Sequence, residues 1–392
     1  MTKHGESAFL YGIHDRGGAH LLRGKGWVVQ TEELGCDPNN WGSQSYRDLA
    51  DAGLGVIVRL NNGYGDKGTI PVLEQYPAFA KRVGNFVEKS TGCHIWVIGN
   101  EPNLAYERPQ GKAIWPTQYG NCFRLCRDQI RSRPGHTDDQ VVVAAIGPWN
   151  VETKPWMEYF TDVLWELNIN NVHGFQLDGI ALHTYAAKSW HPDSITSERH
   201  MNAPFEAWRY GFRSYIDLME AIPAWAKNLP VYITETNQNQ AWENRNAGWV
   251  QTAYAEIDRW NRGTGHQQIR CLALYRYEKY DAYSIQGLNG VADDLGMAIE
   301  RGYTWGTQLE PLPIVPDSGI TDEELRRAQT EYGLVPASMK SAAEHGDIFL
   351  KELHRDMCDK DVLSLVYDSS YGRAKVVKQD GRTWERIAER PL

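Results

Sequence analysis

The chain has 392 residues, 42% of them hydrophobic and 23% charged, with a formal net charge of -9. That length supports one large domain plus an appendage, with enough apolar residues for a sizeable core. The acidic balance and the lack of any dense Lys/Arg run argue against a nucleic-acid surface, and no stretch approaches the roughly 18 consecutive apolar residues of a membrane helix. Two counts stand out, 15 Trp and 20 Tyr. Flat apolar rings with a polar tip fill cores and also stack on sugar rings, and composition does not separate the two uses.

In chain order, the polar segment Met1–Ser7 runs straight into a strand at Phe9–His14. It carries no secretory leader, so the expectation is a cytosolic protein, or an exported one whose leader lies outside this sequence. The connection from Arg16 to Gly26 is too short for a full helix. Strands follow at Trp27–Thr31, Val56–Leu60, His94–Gly99, Val141–Ile146, Gly179–His183, Val231–Thr234 and Cys271–Tyr275. Between most of them lie amphipathic helix patterns: Tyr46/Leu49/Ala50, Tyr119/Cys122/Phe123/Cys126/Ile130 after Pro116, Trp156/Phe160/Val163/Leu164/Leu167, Phe212/Tyr215/Ile216/Met219/Ile222, and Val250/Tyr254/Ile257/Trp260.

Near-continuous apolar strands separated by helices indicate a parallel sheet buried on both faces. Eight such units over residues 1–305 predict an α/β fold, a (β/α)8 TIM barrel, rather than an open doubly wound sheet. The first strand leads into His14-Asp15-Arg16-Gly17-Gly18, which lacks the spacing of a dinucleotide-binding loop. Residues 306–392 read as a linker and a small C-terminal appended region. Pro311–Ser318 is proline-rich, Thr321-Asp322-Glu323-Glu324 resembles a capping box opening a helix, and Leu363–Tyr367 with Ala374–Val377 forms a candidate hairpin around Gly372. The six cysteines show no zinc-like pairing; Cys122 and Cys126, four apart, fit one packed helix face.

Functional groups of a parallel barrel collect at the C-terminal ends of its strands. The fourth strand leads into Asn100-Glu101-Pro102-Asn103 and the seventh into Glu235-Thr236-Asn237. Strands four and seven of one ring hold two carboxyl groups at matching depth across a small cleft. Glycosidic cleavage needs such a pair: an acid to protonate the leaving oxygen and a carboxylate to attack the anomeric carbon, roughly 5–5.5 Å apart when configuration is retained. Glu278, Glu32 and Glu33 also follow strands but lack the opposite-strand relationship to Glu101.

At these residues the sequence resembles the clan of retaining (β/α)8-barrel glycoside hydrolases that contains cellulases, mannanases, galactanases and xylosidases. The resemblance spans roughly residues 8–300 as a pattern of strands and motifs. Asn100-Glu101-Pro102 matches the clan's Asn-Glu-Pro signature, and His183-Thr184-Tyr185 fits the His-x-Tyr that ends strand six in many members. It implies Glu101 as acid/base, Glu235 as nucleophile, Asn100 on the sugar 2-hydroxyl and Tyr185 orienting the nucleophile. His183 is either a site residue or a packed core histidine. Many members carry an arginine beside the nucleophile on strand two; here the candidate, Arg59, falls on strand three. Many also floor the sugar site with a tryptophan after strand eight, where Tyr277 of Tyr275-Arg276-Tyr277-Glu278 is the substitute. Trp149 is a candidate stacking platform, as are Trp190 and Trp242, and His14 and Asp15 either bind sugar hydroxyls or cap a loop.

The resulting expectation is a retaining glycosidase cleaving a β-linked glycoside or polysaccharide, with no metal or organic cofactor and no nucleic-acid or membrane partner. A non-catalytic carbohydrate-binding barrel would be marked by loss of a carboxylate, whereas both are present. A transglycosylase would use the same glutamates. A metal-dependent hydrolase would want several His and Asp at strand ends, where only single histidines occur.

Overall fold

Eight strands alternate with helices and close on themselves. In a computed structural model that describes residues 5–169, 177–306 and four strands within 349–391, these are β1 (Tyr11–His14), β2 (Trp27–Glu33), β3 (Gly55–Asn61), β4 (Ile95–Ile98), β5 (Gln140–Val143), β6 (Gly179–His183), β7 (Val231–Thr236) and β8 (Ile269–Leu274). Each pairs in parallel with the next, and β8 returns to β1 through Tyr11↔Leu272 and Ile13↔Leu274. This is a TIM barrel, with each strand where the apolar runs place it. The strands are buried almost throughout, and in β3 even Arg59 and Asn61 are inside. One close approach fixes a residue type: a Cβ on Gly55 would stand 2.1 Å from the Trp27 ring.

The outer layer is formed by α1 (Arg47–Asp51), α2 (Tyr76–Lys89), α3 (Pro116–Arg131), α4 (Trp156–Ile169), α5 (Ser214–Ala221), α6 (Trp249–Asn261) and α7 (Asn289–Glu300). The short first connection carries a 3-10 turn, Arg16–Leu22, instead of a helix. Two helices were absent from the sequence reading, α2 and α7. Helix α2 buries Tyr76, Phe79, Ala80, Val83 and Phe86, a stripe at helical spacing. Both contain an interior glycine, Gly84 in α2 and Gly296 in α7, as α3 does at Gly120. Arginine from a neighbouring element fills the space of the missing Cβ, Arg133 at Gly84 and Arg23 at Gly296.

The chain divides into two compact units, Met1–Thr307 and Gln308–Leu392. The second contains an antiparallel sheet in the order β12-β11-β10-β9, from β9 (Phe349–Leu353), β10 (Asp361–Asp368), β11 (Arg373–Asp380) and β12 (Thr383–Pro391). The expected hairpin is its β10–β11 pair, with Leu363↔Lys378 and Tyr367↔Ala374. The linker at Pro311–Ser318 and the capping box at Thr321 lie outside the described residues.

Candidate active site

Seven of the eight strands contribute a side chain to one cluster, at and beneath a cleft at their C-terminal ends. They are His14 from β1, Thr31 from β2, Arg59 from β3, Asn100 and Glu101 after β4, His183 from β6, Glu235 from β7 and Tyr275 after β8. The turn after β4 is sharp. Gly99 at φ 79° and Glu101 at φ 36° are both left-handed, a conformation that costs a non-glycine residue of order 1–3 kcal/mol and persists only where neighbours enforce it. Here Glu101 N–H donates to Ala145 O at 3.0 Å and Asn100 N–H donates to the Thr69 hydroxyl.

Glu101 and Glu235 face each other through two shared partners. Tyr185 Oη lies 2.9 Å from Glu235 Oε2 and 3.5 Å from Glu101 Oε1. His183 Nδ1 lies 2.8 Å from Glu101 Oε1, and its Nε2 lies 3.8 Å from Glu235 Oε1. The pairing of His183 with Glu235 across β6 and β7 sets this juxtaposition. Tyr185 stays protonated, because burial raises its pKa well above the ordinary value and both carboxylates add to the effect. The phenol is therefore a donor to Glu235.

Arg59 separates the two glutamates electrostatically. Its Nη1 donates to Glu235 Oε1 and, at 2.6 Å, to Asn100 Oδ1; its Nε donates to Thr31 Oγ1 at 2.9 Å. Burial alone would raise the Glu235 pKa, but the electrostatic influence of the His183, Arg59 and His14 side chains and the Arg59 hydrogen bond hold it well below its ordinary value. Glu235 is thus an ionised carboxylate in a nearly dry site, 5% exposed. No arginine or lysine contact of comparable kind reaches Glu101 among the described residues.

His14 is held neutral. Burial lowers its pKa, the Arg59 charge adds to that, and Asp15 and Glu235 oppose. Its Nε2 faces Arg59 Nη2 at 3.2 Å. Arginine only donates, so Nε2 accepts and Nδ1–H donates to Asp15 Oδ1 at 3.0 Å. Asp15 in turn takes a two-pronged contact from Arg276, Nε at 2.9 Å and Nη2 at 2.7 Å, tying β1 to the loop after β8.

The cleft has a volume of about 580 Å³, within the roughly 300–1,000 Å³ of small-molecule sites. Of the residues expected from sequence, Glu101, Glu235, Asn100, Arg59 and Tyr185 line it, with Asp15. His14 and His183 are fully buried beneath them. Trp149 is not in its lining; its ring packs on Tyr210 at 4.7 Å and edge-on to Tyr185 at 6.5 Å. Tyr277 is also outside the lining and packs on His20 and over Gly17 and Gly18, while Tyr275 faces the cleft. Glu32 is bound by Tyr46, Glu33 by Lys67, and the Glu278 N–H donates to Asp15.

Several lining residues were missed by sequence reasoning. Tyr64, Tyr106 and Tyr280 are 40%, 70% and 69% exposed at the rim. They lie in loops beyond strands β3, β4 and β8, where strand alternation gives no signal. The other omission is Glu107, a buried carboxyl in the 3-10 turn Ala105–Glu107 after β4.

A cluster with metal-ligand spacing, His94, His136 and Asp139, lies at the opposite end of the barrel, before β4 and β5. Each Asp139 oxygen is already engaged: Oδ1 faces His94 Nδ1 at 2.8 Å, and Oδ2 faces His136 Nδ1 at 2.7 Å and accepts from Trp96 Nε1 at 2.6 Å. These contacts account for the cluster as a tie between strand ends.

Neither a protein-family model nor a curated protein sequence matches the chain. Among solved structures, it is similar to a xyloglucanase of glycoside hydrolase family 44 from Paenibacillus polymyxa, with TM-score 0.46 and 10% identity over 74% of this chain and 76% of that one. It is also similar to a fungal β-1,4-galactanase, with TM-score 0.42 and 13% identity over 68% and 88% of the two chains. A third is the catalytic domain of a family 30 xylanase from Talaromyces cellulolyticus, at 0.41 and 9% over 95% and 83%. At such identities the likeness concerns the barrel fold.

Proposed function

We propose that the chain is a retaining glycoside hydrolase acting on a β-linked glycoside or polysaccharide. The observation that carries this reading is the pair Glu101 and Glu235 joined by one phenol oxygen, with a buried arginine on Glu235 alone. The two Tyr185 contacts, 2.9 and 3.5 Å, together bound the gap between the nearest carboxylate oxygens. Two carboxyls within reach of one hydroxyl are close neighbours across the cleft, a proximity that suits direct attack by the carboxylate.

In the proposed reaction a Glu235 oxygen bonds to C1 as the bond from C1 to the leaving oxygen breaks. Glu101 gives its proton to that oxygen. Water then loses a proton to Glu101 and displaces the Glu235 carboxylate from C1, so the anomeric configuration is kept. Asn100 and Tyr185 supply hydrogen bonds that strengthen as charge develops on the ring. The exposed rings of Tyr64, Tyr106 and Tyr280 at the rim suit stacking of further sugar units. All of these groups belong to the barrel, which the reading makes the catalytic unit.

Incubation with 2-deoxy-2-fluoro-glycosides followed by peptide mass spectrometry tests the assignment. A covalent sugar on Glu235 is expected. A label on Glu278, Glu32 or Glu33 would overturn the choice of nucleophile.

A further inference from the structure

Glu107 is a third carboxyl at the cleft that the proposed reaction does not use. It is 4% exposed and joins the floor of the cleft beside Asn100. Its Oε1 accepts from Asn100 Nδ2 at 3.1 Å, while its Oε2 is buried without any hydrogen-bond partner in the protein. Facing it are Glu101 and Asn100 from the β4 turn, Arg59 from β3 and Glu235 from β7; its own backbone carbonyl accepts from Thr69 N–H at 3.0 Å. Arg59, the one cation among these, contacts Glu235, Asn100, Thr31 and His14, not Glu107.

An ionised carboxylate needs several donors or a paired cation when buried. Glu107 has one neutral amide donor and two carboxylates for neighbours. We infer that Glu107 is a positioning residue, an uncharged carboxylic acid that sets the orientation of the Asn100 side-chain amide on which the proposed sugar contact depends. With Nδ2 donating to Glu107 and Oδ1 accepting from Arg59, the amide has one orientation in which both contacts are made; the flipped amide would set its nitrogen against the guanidinium. Burial, opposed by the Asn100 hydrogen bond and reinforced by the Glu101 charge, moves the Glu107 pKa up to about 7. Loss of its proton puts a negative charge beside Glu235 and makes Oε1 a stronger acceptor from Asn100 Nδ2, so the Asn100 amide senses the ionisation.

The role of Asn100 in this inference rests on the glycosidase reading, so its test has a readout independent of turnover. The Asn100 side-chain amide resonance of the full chain, assigned with Asn100→Asp, should move with pH around 7 in the native protein. In Glu107→Gln, which cannot ionise, that movement should be lost. A resonance that moves equally in both proteins, or in neither, overturns the inference. With a substrate, the alkaline limb of log kcat/KM should fall more steeply in the native enzyme than in Glu107→Gln, by the one proton that Glu107 loses around 7. Glu107→Ala should lose about 10–100-fold in kcat/KM with Gln recovering most of it, as for loss of one hydrogen bond of about 1–3 kcal/mol. Equal slopes in native and Gln proteins would overturn the positioning role. Absence of both turnover and a Glu235 label would instead fault the glycosidase reading, and the amide titration would still decide the protonation of Glu107.

Discussion

Replacing Arg59 with Met separates the electrostatics of the cleft from its packing. Met keeps much of the apolar stem and removes every contact of the guanidinium to Glu235, Asn100, Thr31 and His14. Glu235 is then left in a site whose burial raises its pKa, with Tyr185 as its remaining hydroxyl donor. In the native protein Glu235 is held at about 2, against an ordinary value of 4.5. At about 1.4 kcal/mol per unit that difference is of order 3 kcal/mol, and removing one partner of a buried ion pair costs about 3–5 kcal/mol. The sign with pH follows from linkage. A folded pKa below the unfolded one stabilises the protein fully above 4.5, and this contribution is lost as pH falls through about 2. In Arg59→Met the folded pKa rises toward the unfolded value as the Arg59 charge and hydrogen bond are lost, while His183 and His14 still oppose burial, so the contribution shrinks. Urea unfolding should therefore show Arg59→Met less stable by about 3–5 kcal/mol at neutral pH. The deficit should narrow as pH falls from 4.5 toward 2. A deficit that is flat over this range, or below about 1 kcal/mol at neutral pH, would refute the claim that Arg59 serves chiefly to keep Glu235 ionised.

Tyr185→Phe removes the 2.9 Å hydrogen bond to Glu235; at about 1.5–3 kcal/mol for a bond to a charged group, kcat should drop about 10–100-fold in steady-state assays. Glu235→Ala should lose several powers of ten on every substrate, whereas Glu101→Ala should spare aryl glycosides with a good leaving group, because only the proton donor is gone; equal losses on good and poor leaving groups would contradict the assignment of Glu101. At the other end of the barrel, burial raises the Asp139 pKa but the hydrogen bonds from His136, His94 and Trp96 outweigh it and bring it to about 2, below the unfolded 3.8. Asp139→Asn should lower stability by about 1–3 kcal/mol at neutral pH, with the deficit closing as pH falls from 3.8 through 2, followed by thermal unfolding across that range.

The barrel was legible because its strands are buried on both faces, so Val56–Leu60 or Gly179–His183 stand out as apolar runs with no need for alternation. The helices were less uniform. Helices α3 and α2 both carry a regular stripe, a proline in the first turn and one interior glycine, Gly120 and Gly84, so glycine does not distinguish the helix that was legible from the one that was not. At the cleft, residues on or next to a strand end were readable: Arg59, Asn100, Glu101, His183, Tyr185 and Glu235. Beyond the strand ends the period is lost. After β8 ends at Leu274, Tyr275 and not Tyr277 faces the cleft. Glu107 sits in a turn whose burial depends on Thr69 from the preceding loop, a pairing that no local pattern reveals.

The same geometry explains why three carboxyls can converge in one cleft without equivalent chemistry. Arg59 is the arginine that reaches the cleft's centre, and its position on β3 decides which carboxyl it serves. Register pairs Arg59 with Thr31 on one side and Val97 on the other, and its side chain reaches across to Glu235 on β7. A slip of one residue would turn it to the opposite face of the strand, taking its charge and hydrogen bond away from Glu235. Asn100 takes the second Nη1 contact and thereby stands between the cation and Glu107. One arginine thus helps fix a charged carboxylate where attack is proposed and, with an amide between them that accepts from it and donates onward, makes no direct contact with Glu107. The difference in surroundings between Glu235 and Glu107 is therefore a property of strand register.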